Sequence, residues 1–473
     1  MATTNYAWTN SAVRLTGELT NNGTFLSRAS QYLKGRNNEF AVNFTGTDFS
    51  FDYISSTLTN GLQLSLDGGA WTTPTLTTGT GSWKTLAAVS GASDTTHTLI
   101  IRDNGSGGSA TTIFDFTNGF AVTGASPSVA APTGYGTVVQ LSSAVGTGYV
   151  KITSGTSSSA SQGNTSYSDS SFACVGFRFI ATCDTIKIFA WCNGKKVRLT
   201  IDGVDQASPV TLPSTSNWEW VTIATGLDSG SAHTYRITAG SVSTIFFAVM
   251  GVGGTGISTS TLAALNLWAF YGDSITAGEI GTSNDATLSH CHLIAIANNA
   301  GCLASGRSST TLENYGSGAA NVTTQSGEAR TSEITSKSPH TVVMLYGVND
   351  AAGVGTGGWN PTAFQASAVN TLNSILAASP TKVYVLGILE STNTTAQTNR
   401  AACNAALQAA VATVGGVCRY INTDGWINPN LDCLDGLHPN ATGYAKIKAA
   451  FSWSALPFRP PVQPVARPYE VPE

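Results

Sequence analysis

The sequence predicts a multidomain chain: two antiparallel β-sandwich (jelly-roll-like) domains in tandem, followed by a domain with a parallel sheet between layers of helices. Three observations predict this order. The first half consists of short apolar or alternating runs, part of that half is repeated, and the second half alternates apolar strands with Ala-rich helical stretches. A chain of 473 residues is also too long for one hydrophobic core.

The chain carries little charge. Charged residues make up 11% and the net charge is −4 without a basic run, which argues against nucleic acid or an anionic membrane as a partner. No apolar stretch approaches the roughly 18 residues of a membrane-spanning helix. The first residues lack the charged region and the apolar core that are typical of a signal peptide. We expect a secreted or extracellular protein whose signal peptide is not present in this chain, or a virion-associated one.

Residues 1–125 are predicted to form the first sandwich. Apolar or alternating runs at 40–44, 49–54, 62–69 and 97–103 are typical of strands. Gly, Asn, Asp and Ser separate these runs, and no helical periodicity competes with them. The pattern favours a β-sandwich.

The stretch 126–137 is rich in Pro, Gly, Ser and Ala and is predicted to be a linker. Residues 138–256 then repeat the first domain, because the segments around the Asp-Gly turns and the following hairpins match at a nearly constant offset. His97 and His233 fall at equivalent places. Since both copies carry a histidine, we interpret both as structural.

Six tryptophans lie in the two predicted sandwiches, and two interpretations stay open for them. On an inner face they pack in the core, which we favour. On an exposed face or loop they would stack on sugar rings. They are Trp8, Trp71, Trp83, Trp191, Trp218 and Trp220.

From 257 to 456 strands that are apolar almost throughout alternate with helices. This indicates a parallel sheet covered on both faces, and in such a sheet the site lies at the carboxyl ends of the strands. The predicted strands are 267–271, 341–347, 382–389 and 418–423, and the predicted helices are 292–301, 364–379, 398–415 and 441–456. The Pro-rich tail, 457–473, cannot continue a helix and is predicted to be an extended strap or a disordered end.

Eight cysteines are present without a Cys-X-X-Cys pair, which argues against zinc ribbons and thioredoxin-like chemistry. An even count on a chain of low charge favours some disulfides, with the pairing open.

The segment 270–278, FYGDSITAG, is predicted to be a strand that ends in a tight turn and opens a helix. Ser274 would then lie at the carboxyl edge of the sheet near a helix N-terminus, a position that suits a nucleophile. Taken alone, a serine there is more often a helix cap. The later segments favour the nucleophile over the helix cap.

A serine hydroxyl needs a base, and His438 is the histidine that remains once the others are placed. His290 and His292 flank a cysteine, but without a carboxylate motif they do not indicate a metal. Asp435 precedes His438 by three residues in a tight loop after the last strand, so one turn can bring its carboxylate to the imidazole.

Acyl transfer also needs donors for an oxyanion. Asn349 follows the strand at 341–346, and the segment 305–311, SGRSSTT, offers a glycine whose N–H can point inward. Each segment alone is ordinary turn sequence. The four in this order favour a hydrolytic site.

In order and spacing these segments resemble the four blocks of the SGNH hydrolases, also called the GDSL-like esterase superfamily, over roughly residues 265–456. The resemblance implies a flavodoxin-like α/β/α fold, an acyl-enzyme mechanism, and neither metal nor cofactor. It makes Ser274 the nucleophile, Asp435 the acid and His438 the base. The N–H of Ser274, Gly306 and Asn349 would form the oxyanion hole. Gly301 is a second candidate for the glycine.

β-sandwiches ahead of such a domain resemble bacterial carbohydrate esterases that remove acetyl groups from xylan and related polysaccharides. This implies an acetylated polysaccharide or oligosaccharide as substrate, with Trp359 as a candidate to stack on a sugar or simply to pack. Two other functions stay open: a broad short-chain or polyester esterase, and a phage tail or adhesion protein whose sandwiches bind a surface glycan. The oligomeric state is not indicated.

Overall fold

The structure is a computed structural model. It describes residues 1–6, 14–15, 19–25, 28–33, 39–53, 62–76, 84–103, 119–132, 137–140, 150–151, 157–158, 165–166, 173–215, 217–241, 244, 246–258, 262, 265–283, 285–355 and 358–454. The predicted strap at 457–473 lies outside these residues.

Two antiparallel sheets form the first sandwich. Its strands are β1 (Ala2–Tyr6), β2 (Arg14–Leu15), β3 (Leu19–Phe25), β4 (Arg28–Leu33), β5 (Glu39–Gly46), β6 (Asp48–Tyr53), β7 (Leu62–Leu66), β8 (Lys84–Val89), β9 (Thr95–Asp103), β10 (Phe120–Gly124) and β11 (Ser128–Ala130). One sheet has the order β1-β10-β6-β8 and the other β11-β5-β9-β7, with β2 beside β5; β3 and β4 pair with each other in a separate two-stranded sheet. Alternate apolar residues from both sheets meet in one core, in which the rings of Phe44 and Phe49 lie 5.3 Å apart.

A second sandwich follows. Its strands are β12 (Thr137–Gln140), β13 (Val150–Lys151), β14 (Ser157–Ser158), β15 (Thr165–Ser166), β16 (Gly176–Thr182), β17 (Thr185–Cys192), β18 (Lys196–Ile201), β19 (Val204–Asp205), β20 (Val210–Thr211), β21 (Asn217–Ala224), β22 (His233–Ala239), β23 (Phe246–Val252) and β24 (Gly256–Ile257). One sheet has the order β12-β23-β17-β21, and the other contains β13-β16-β22-β18-β19 with β24 beside β16 and β20 beside β18. β14 and β15 pair with each other in a separate two-stranded sheet.

The two sandwiches share one strand order, as a duplication requires. The sheet β1-β10-β6-β8 corresponds to β12-β23-β17-β21, and the run β5-β9-β7 corresponds to β16-β22-β18. β11, which lies inside the predicted linker, pairs with β5 as β24 pairs with β16. The stretch 126–137 therefore contributes an edge strand to the first copy.

The equivalent histidines hold equivalent Asp-Gly turns. Asp67 and Asp202 have positive φ values of 51° and 48°. His97 Nδ1 lies 2.8 Å from a carboxylate oxygen of Asp67, and His233 Nδ1 lies 2.6 Å from one of Asp202. These contacts account for both histidines as structural residues.

The tryptophans of the sandwiches occupy mixed environments. Trp71 lies under the guanidinium of Arg102, 3.7 Å from the ring centroid, and half-buried Trp220 packs on Phe189 at 5.4 Å. Trp8 and Trp83 lie outside the described residues. Both interpretations of these side chains, core packing and sugar stacking, stay predictions.

The C-terminal domain is a five-stranded parallel sheet with helices on both faces. Its strands are β25 (Leu267–Gly272), β26 (Gly301–Gly306), β27 (Thr341–Leu345), β28 (Lys382–Leu386) and β29 (Cys418–Ile421). Its α-helices are α1 (Ser274–Ala277), α2 (His290–Ala297), α3 (Ser332–Thr335), α4 (Val348–Ala351), α5 (Pro361–Leu376), α6 (Thr394–Val414), α7 (Pro429–Asp432) and α8 (Ala441–Ser454). The order β26-β25-β27-β28-β29 is that of the flavodoxin-like fold. The predicted fold class is confirmed.

Alternation along the buried strands divides the core into two layers. Ala269 and Tyr271 face the layer that contains the apolar sides of α5 and α6, whereas Trp268 and Phe270 face the layer of α2 and α8. This explains why the strands are apolar throughout. No helix in the described part of the chain is long and apolar enough to cross a bilayer.

Two sequence interpretations need correction. β26 was not predicted, because its sequence GCLASG is made mostly of small residues with low strand propensity. The favoured disulfides are absent: all eight cysteines lie within the described residues and carry free thiols. Seven of them are buried, where a thiol packs as a small apolar side chain.

The second sandwich is joined to the C-terminal domain through buried polar contacts. Ala173 forms an antiparallel bridge to Ala304 on the edge strand β26. Arg198 and Asp285 form a buried ion pair at 2.9 Å across the junction. The two domains therefore share an ordered interface.

Candidate active site

Ser274 lies where the sequence predicts it, directly after the central strand β25. The helix cap is Asp273, whose side chain accepts a hydrogen bond from the N–H of Ile275 at 2.9 Å, so Ser274 is the first residue of α1. Its residue surface is only 5% exposed. The hydroxyl is thus placed at the carboxyl edge of the sheet by a short, buried turn.

His438 and Asp435 complete a hydrogen-bonded relay with this serine. His438 Nε2 lies 2.8 Å from Ser274 Oγ, across 164 residues of sequence. His438 Nδ1 lies 2.7 Å from Asp435 Oδ2. A carboxylate accepts only, so it fixes the Nδ1–H tautomer and leaves Nε2 free to accept the serine proton.

Asp435 is held as an anion, and half of its side chain is exposed to solvent. Its Oδ1 accepts the backbone N–H groups of His438, at 2.8 Å, and of Leu437, at 3.1 Å. Partial burial opposes ionisation, but the hydrogen bonds from His438 and Leu437 outweigh it and hold the pKa of Asp435 below its usual value. The carboxylate is therefore available to stabilise an imidazolium.

The loop that carries Asp435 and His438 is fastened to the serine segment. Tyr444 of α8 donates its hydroxyl to the carbonyl of Ile275 at 2.8 Å. Gly281 approaches the same loop so closely that a Cβ there would lie 2.4 Å from the carbonyl oxygen of Pro439. These contacts set the separation between imidazole and hydroxyl.

Gly306 ends the neighbouring strand β26, in register with Gly272 of β25. A Cβ at Gly306 would lie 2.0 Å from the backbone nitrogen of Ala277 in α1, closer than van der Waals contact allows. The absence of a side chain therefore lets β26 approach the backbone of the helix that begins with Ser274. Gly301, the second candidate, begins β26 at the opposite edge of the sheet.

Asn349 lies in α4, which follows β27 on the other side of β25. Its side-chain amide donates to the carbonyl of Thr310 at 2.8 Å, and the second N–H of the amide stays available to another acceptor. Ser274 and Asn349 thus follow their strands and Gly306 ends the strand beside them, so all three lie at one edge of the sheet.

Two buried carboxyls organise the loops around the site. Asp350 accepts the N–H groups of Leu312 and Glu313 on its two oxygens, at 2.9 and 3.0 Å. Burial raises the pKa of Asp350 and of Asp273 to about 7, while the backbone N–H donors act in the opposite direction. Neither carboxyl takes part in the relay.

Arg330 was missed by sequence reasoning. It is buried below the site, where its guanidinium donates to the carbonyl of Gly272 at 2.9 Å, to Ser305 Oγ at 3.1 Å, and to the hydroxyl of Tyr346. It also pairs with Glu333 at 2.7 Å. The sequence signal is an Arg and a Glu three residues apart, which is too common to identify a residue that binds three strand ends.

The remaining candidates lie apart from the relay. Trp359 is half-buried and packs on Phe364, with ring centroids 5.2 Å apart, so its predicted stacking on sugar stays a prediction. His290 stacks on Tyr444 at 5.6 Å. His292 Nε2 lies 2.9 Å from Asp205 of the second sandwich. The two histidines therefore have structural partners of their own.

The arrangement has the components of acyl transfer. A hydroxyl is bound to a base, the base is bound to a carboxylate, and backbone and amide N–H groups lie nearby at the ends of adjacent strands. A carbonyl carbon placed against Ser274 would be exposed to attack as the hydroxyl loses its proton.

Residues 270–446 match the family described as GDSL-like lipase/acylhydrolase. This range begins within β25, contains Ser274, Gly306, Asn349, Asp435 and His438, and ends within α8. No curated protein sequence matches the chain.

Solved structures similar to this chain include carbohydrate esterases. An acetyl xylan esterase from the rumen bacterium Butyrivibrio proteoclasticus has a TM-score of 0.50 and 13% identity, covering 67% of this chain and 97% of its own. A family 2 carbohydrate esterase with a carbohydrate-binding domain from Corynascus thermopiles (Myceliophthora fergusii) has a TM-score of 0.47 and 20% identity, covering 60% and 93%. At 13% identity, the likeness to the acetyl xylan esterase shows a shared fold.

Proposed function

We propose that this protein, whose C-terminal domain is a GDSL-like carboxylic ester hydrolase, is a serine esterase that removes O-acetyl groups from a polysaccharide. The observation that carries the serine mechanism is the relay, in which His438 Nε2 lies 2.8 Å from Ser274 Oγ and Nδ1 lies 2.7 Å from Asp435. A helix cap alone would not need an imidazole on the serine hydroxyl.

In the acylation step, Ser274 Oγ attacks the carbonyl carbon of the acetyl ester while its proton moves to His438 Nε2. The negative charge of the tetrahedral intermediate falls on the former carbonyl oxygen, and the N–H groups of Ser274 and Gly306 with the amide of Asn349 are the proposed donors to it. Asp435 stabilises the imidazolium. As the ester bond breaks, His438 returns the proton to the sugar oxygen, and an acetyl-Ser274 remains.

Deacylation repeats these steps with water as the nucleophile. His438 Nε2 takes a proton from the water that attacks the acetyl carbonyl, and it then returns the proton to Ser274 Oγ as acetate leaves. The enzyme is regenerated without a change of oxidation state. The two steps together consume only the ester and one water molecule.

The choice of a carbohydrate ester has separate support. The acetyl xylan esterase that shares this fold also covers part of the region ahead of the hydrolase domain, since 67% of the chain is aligned. We extend its substrate class, acetylated xylan, to this chain as part of the proposal. A polymeric substrate outside the cell would fit secretion, and the sandwiches would position or bind the polymer.

One observation favours a second candidate, a broad short-chain or polyester esterase. Leu434 directly precedes Asp435 and is 69% exposed, and Leu431 is 72% exposed. Exposed leucines beside the relay would contact the apolar part of an ester rather than a sugar.

The two candidates are tested together by measuring acetate release from acetylated xylan and hydrolysis of p-nitrophenyl acetate and butyrate. The proposal expects deacetylation of the polysaccharide and little butyrate turnover, with both activities lost in Ser274→Ala. Strong butyrate turnover without acetate release from the polysaccharide would favour the second candidate. Polysaccharide deacetylation that survives Ser274→Ala would exclude the serine mechanism.

A further inference from the structure

A cavity of about 500 Å³ lies between the second sandwich and the C-terminal domain. One wall is the outer face of β16, β18 and β22, and another is the end of α2 with the residues that follow it. Its size is in the range of small-molecule sites. The cavity is separate from the relay: Asn299 in its wall precedes β26, whereas Ser274 follows β25, so a strand length of about 17 Å lies between them.

Two arginines stand side by side on the sandwich wall. Arg178 of β16 and Arg236 of β22 are directly paired across the strands, and Thr200 of β18 is paired with Arg236 on its other side. Side chains at such positions point to the same face of a sheet. The wall therefore presents two guanidinium groups and a hydroxyl next to one another.

Arg236 is incompletely satisfied. The residue is only 5% exposed. Its Nη1 donates to the carbonyl of Ala300 at 2.8 Å and its Nε to Thr238 Oγ1 at 3.3 Å, but its Nη2 has no hydrogen-bond partner among the described residues. A buried donor without an acceptor destabilises a fold unless a ligand or water binds it. Arg236 also takes part in no ion pair of the described chain.

The carboxylates near this wall already have partners. Asp202 binds His233 at 2.6 Å and the N–H of Thr234 at 2.8 Å. Asp205 accepts from Thr200 at 2.7 Å and contacts His292 at 2.9 Å. Arg236 Nη2 is thus a buried donor of this wall that still needs an acceptor.

The duplicated fold provides an internal comparison. In the first sandwich Phe44 pairs with His97, as Ala181 pairs with His233 in the second. Three residues along each strand from these pairs, the first copy has the pair Ala41 and Ile100, where the second has Arg178 and Arg236. The arginine pair is thus specific to the copy that contacts the hydrolase domain, and the sandwich fold does not require it.

We propose that this cavity binds a uronate residue of an acidic glycan, with Arg178 and Arg236 binding its carboxylate. Paired guanidinium groups match the planar carboxylate geometry. Thr234 and Asn299 supply groups that donate to or accept from sugar hydroxyls, and Ile296 supplies an apolar contact for the ring. Such a site would hold an acidic polymer on the enzyme away from the ester that is cleaved. This inference goes beyond the proposed function.

The test is isothermal titration calorimetry of the full chain with methyl glucuronide, methyl glucoside, acetate and sulfate. We expect methyl glucuronide to bind at least tenfold more tightly than each of the other three. Arg178→Gln should weaken glucuronide binding at least tenfold, whereas Lys187→Gln, which removes the same charge from the other sheet of this sandwich, should leave it unchanged. Arg236→Gln should also weaken binding if it folds, and Arg178→Gln decides the case if it does not.

Several results would overturn the inference. If methyl glucuronide does not bind, the site is not a uronate site. Equal binding of acetate or sulfate would remove the sugar from the assignment, and unchanged affinity in Arg178→Gln would place binding elsewhere. Ser274→Ala should bind methyl glucuronide as the unmodified chain does, so failure of the ester-hydrolase proposal and failure of this one are distinguishable.

Discussion

Replacing Asp435 by asparagine tests the relay at its most exposed member. The amide oxygen of Asp435→Asn can still accept the N–H groups of His438 and Leu437, which bind Oδ1 in the native chain. The amide nitrogen would take the place of Oδ2, 2.7 Å from His438 Nδ1. We therefore expect the loop to keep its shape while the imidazole loses both its anionic partner and the acceptor that fixes its tautomer.

The expected loss of kcat/KM in Asp435→Asn follows from the loss of the anionic partner and of the acceptor. Opposite charges about 4 Å apart near a protein surface attract by about 4 kcal/mol. Because 48% of the Asp435 side chain is exposed, solvent screening reduces this to about 2 kcal/mol, which is about 30-fold in rate. The amide favours the tautomer with the proton on Nε2, which cannot accept from Ser274, and we assign this about another tenfold to 100-fold. Multiplied together, the two factors give a loss of about 300- to 3,000-fold, less than the ~10⁴-fold seen with a buried aspartate.

The assay is kcat/KM for p-nitrophenyl acetate, together with thermal unfolding of each variant. We expect Asp435→Asn to lower kcat/KM about 300- to 3,000-fold with little change in Tm. The matched control is Asp424→Asn, which neutralises a 58% exposed aspartate paired with Arg400 and should change kcat/KM less than about twofold. A loss smaller than threefold in Asp435→Asn, with the loop intact, would refute the assignment of Asp435 as the orienting acid.

Three further changes probe what surrounds the relay. Gly306→Ala places a Cβ 2.0 Å from the α1 backbone, so we expect about 1–3 kcal/mol of lost stability and at least about 100-fold lower kcat/KM; activity within twofold of the native chain would contradict this. Arg330→Met removes the donor to the carbonyl of Gly272 and should lower the free energy of unfolding in urea by about 3–5 kcal/mol. Arg330→Lys should recover part of this loss, and an unchanged unfolding midpoint in Arg330→Met would show that the contact is dispensable. Burial raises the pKa of Asp273 from 3.8 to about 7. Between these two pH values the native state keeps a proton that the unfolded chain loses, so the free energy of unfolding falls as the pH rises from 3.8 to about 7. Asp273→Asn keeps an acceptor for the N–H of Ile275, and its free energy of unfolding should rise relative to that of the native chain by up to about 4 kcal/mol across this pH range. A difference in unfolding free energy that does not change with pH would be inconsistent with the raised pKa.

The architecture could be predicted because its signals are local. Alternating strands, the duplicated Asp-Gly segments and the apolar strands of the second half all appear as patterns within one element or one repeat. β26 escaped prediction because Cys302, Ala304 and Ser305 carry no strand preference of their own. That strand forms because its backbone completes the parallel ladder with β25.

The relay could be predicted because each of its members lies in a short segment with a constrained backbone. Asp435 and His438 lie in one turn, and Ser274 follows a buried strand, so the only long-range step is the convergence of strand ends at one edge. The alternative interpretation of Ser274 as a helix cap does not hold, since Asp273 is the N-cap of α1.

Arg330 and the paired arginines of the second sandwich could not be predicted in this way. Arg330 gains its role from the carbonyl of Gly272 and the hydroxyls of Ser305 and Tyr346, which are far from it in sequence. Arg178 and Arg236 become neighbours only through cross-strand register. The expected disulfides failed for a related reason: a cysteine count does not show which thiols the fold joins, and all eight are free.

If Ser274 is the nucleophile, it carries the substrate's acyl group as a covalent ester, which mass spectrometry of the acid-quenched reaction with p-nitrophenyl acetate detects. We expect one added acetyl group, located by peptide mapping in the segment 270–278 and absent from Ser274→Ala. An acetyl group on a different residue, or turnover that continues in Ser274→Ala, would contradict it.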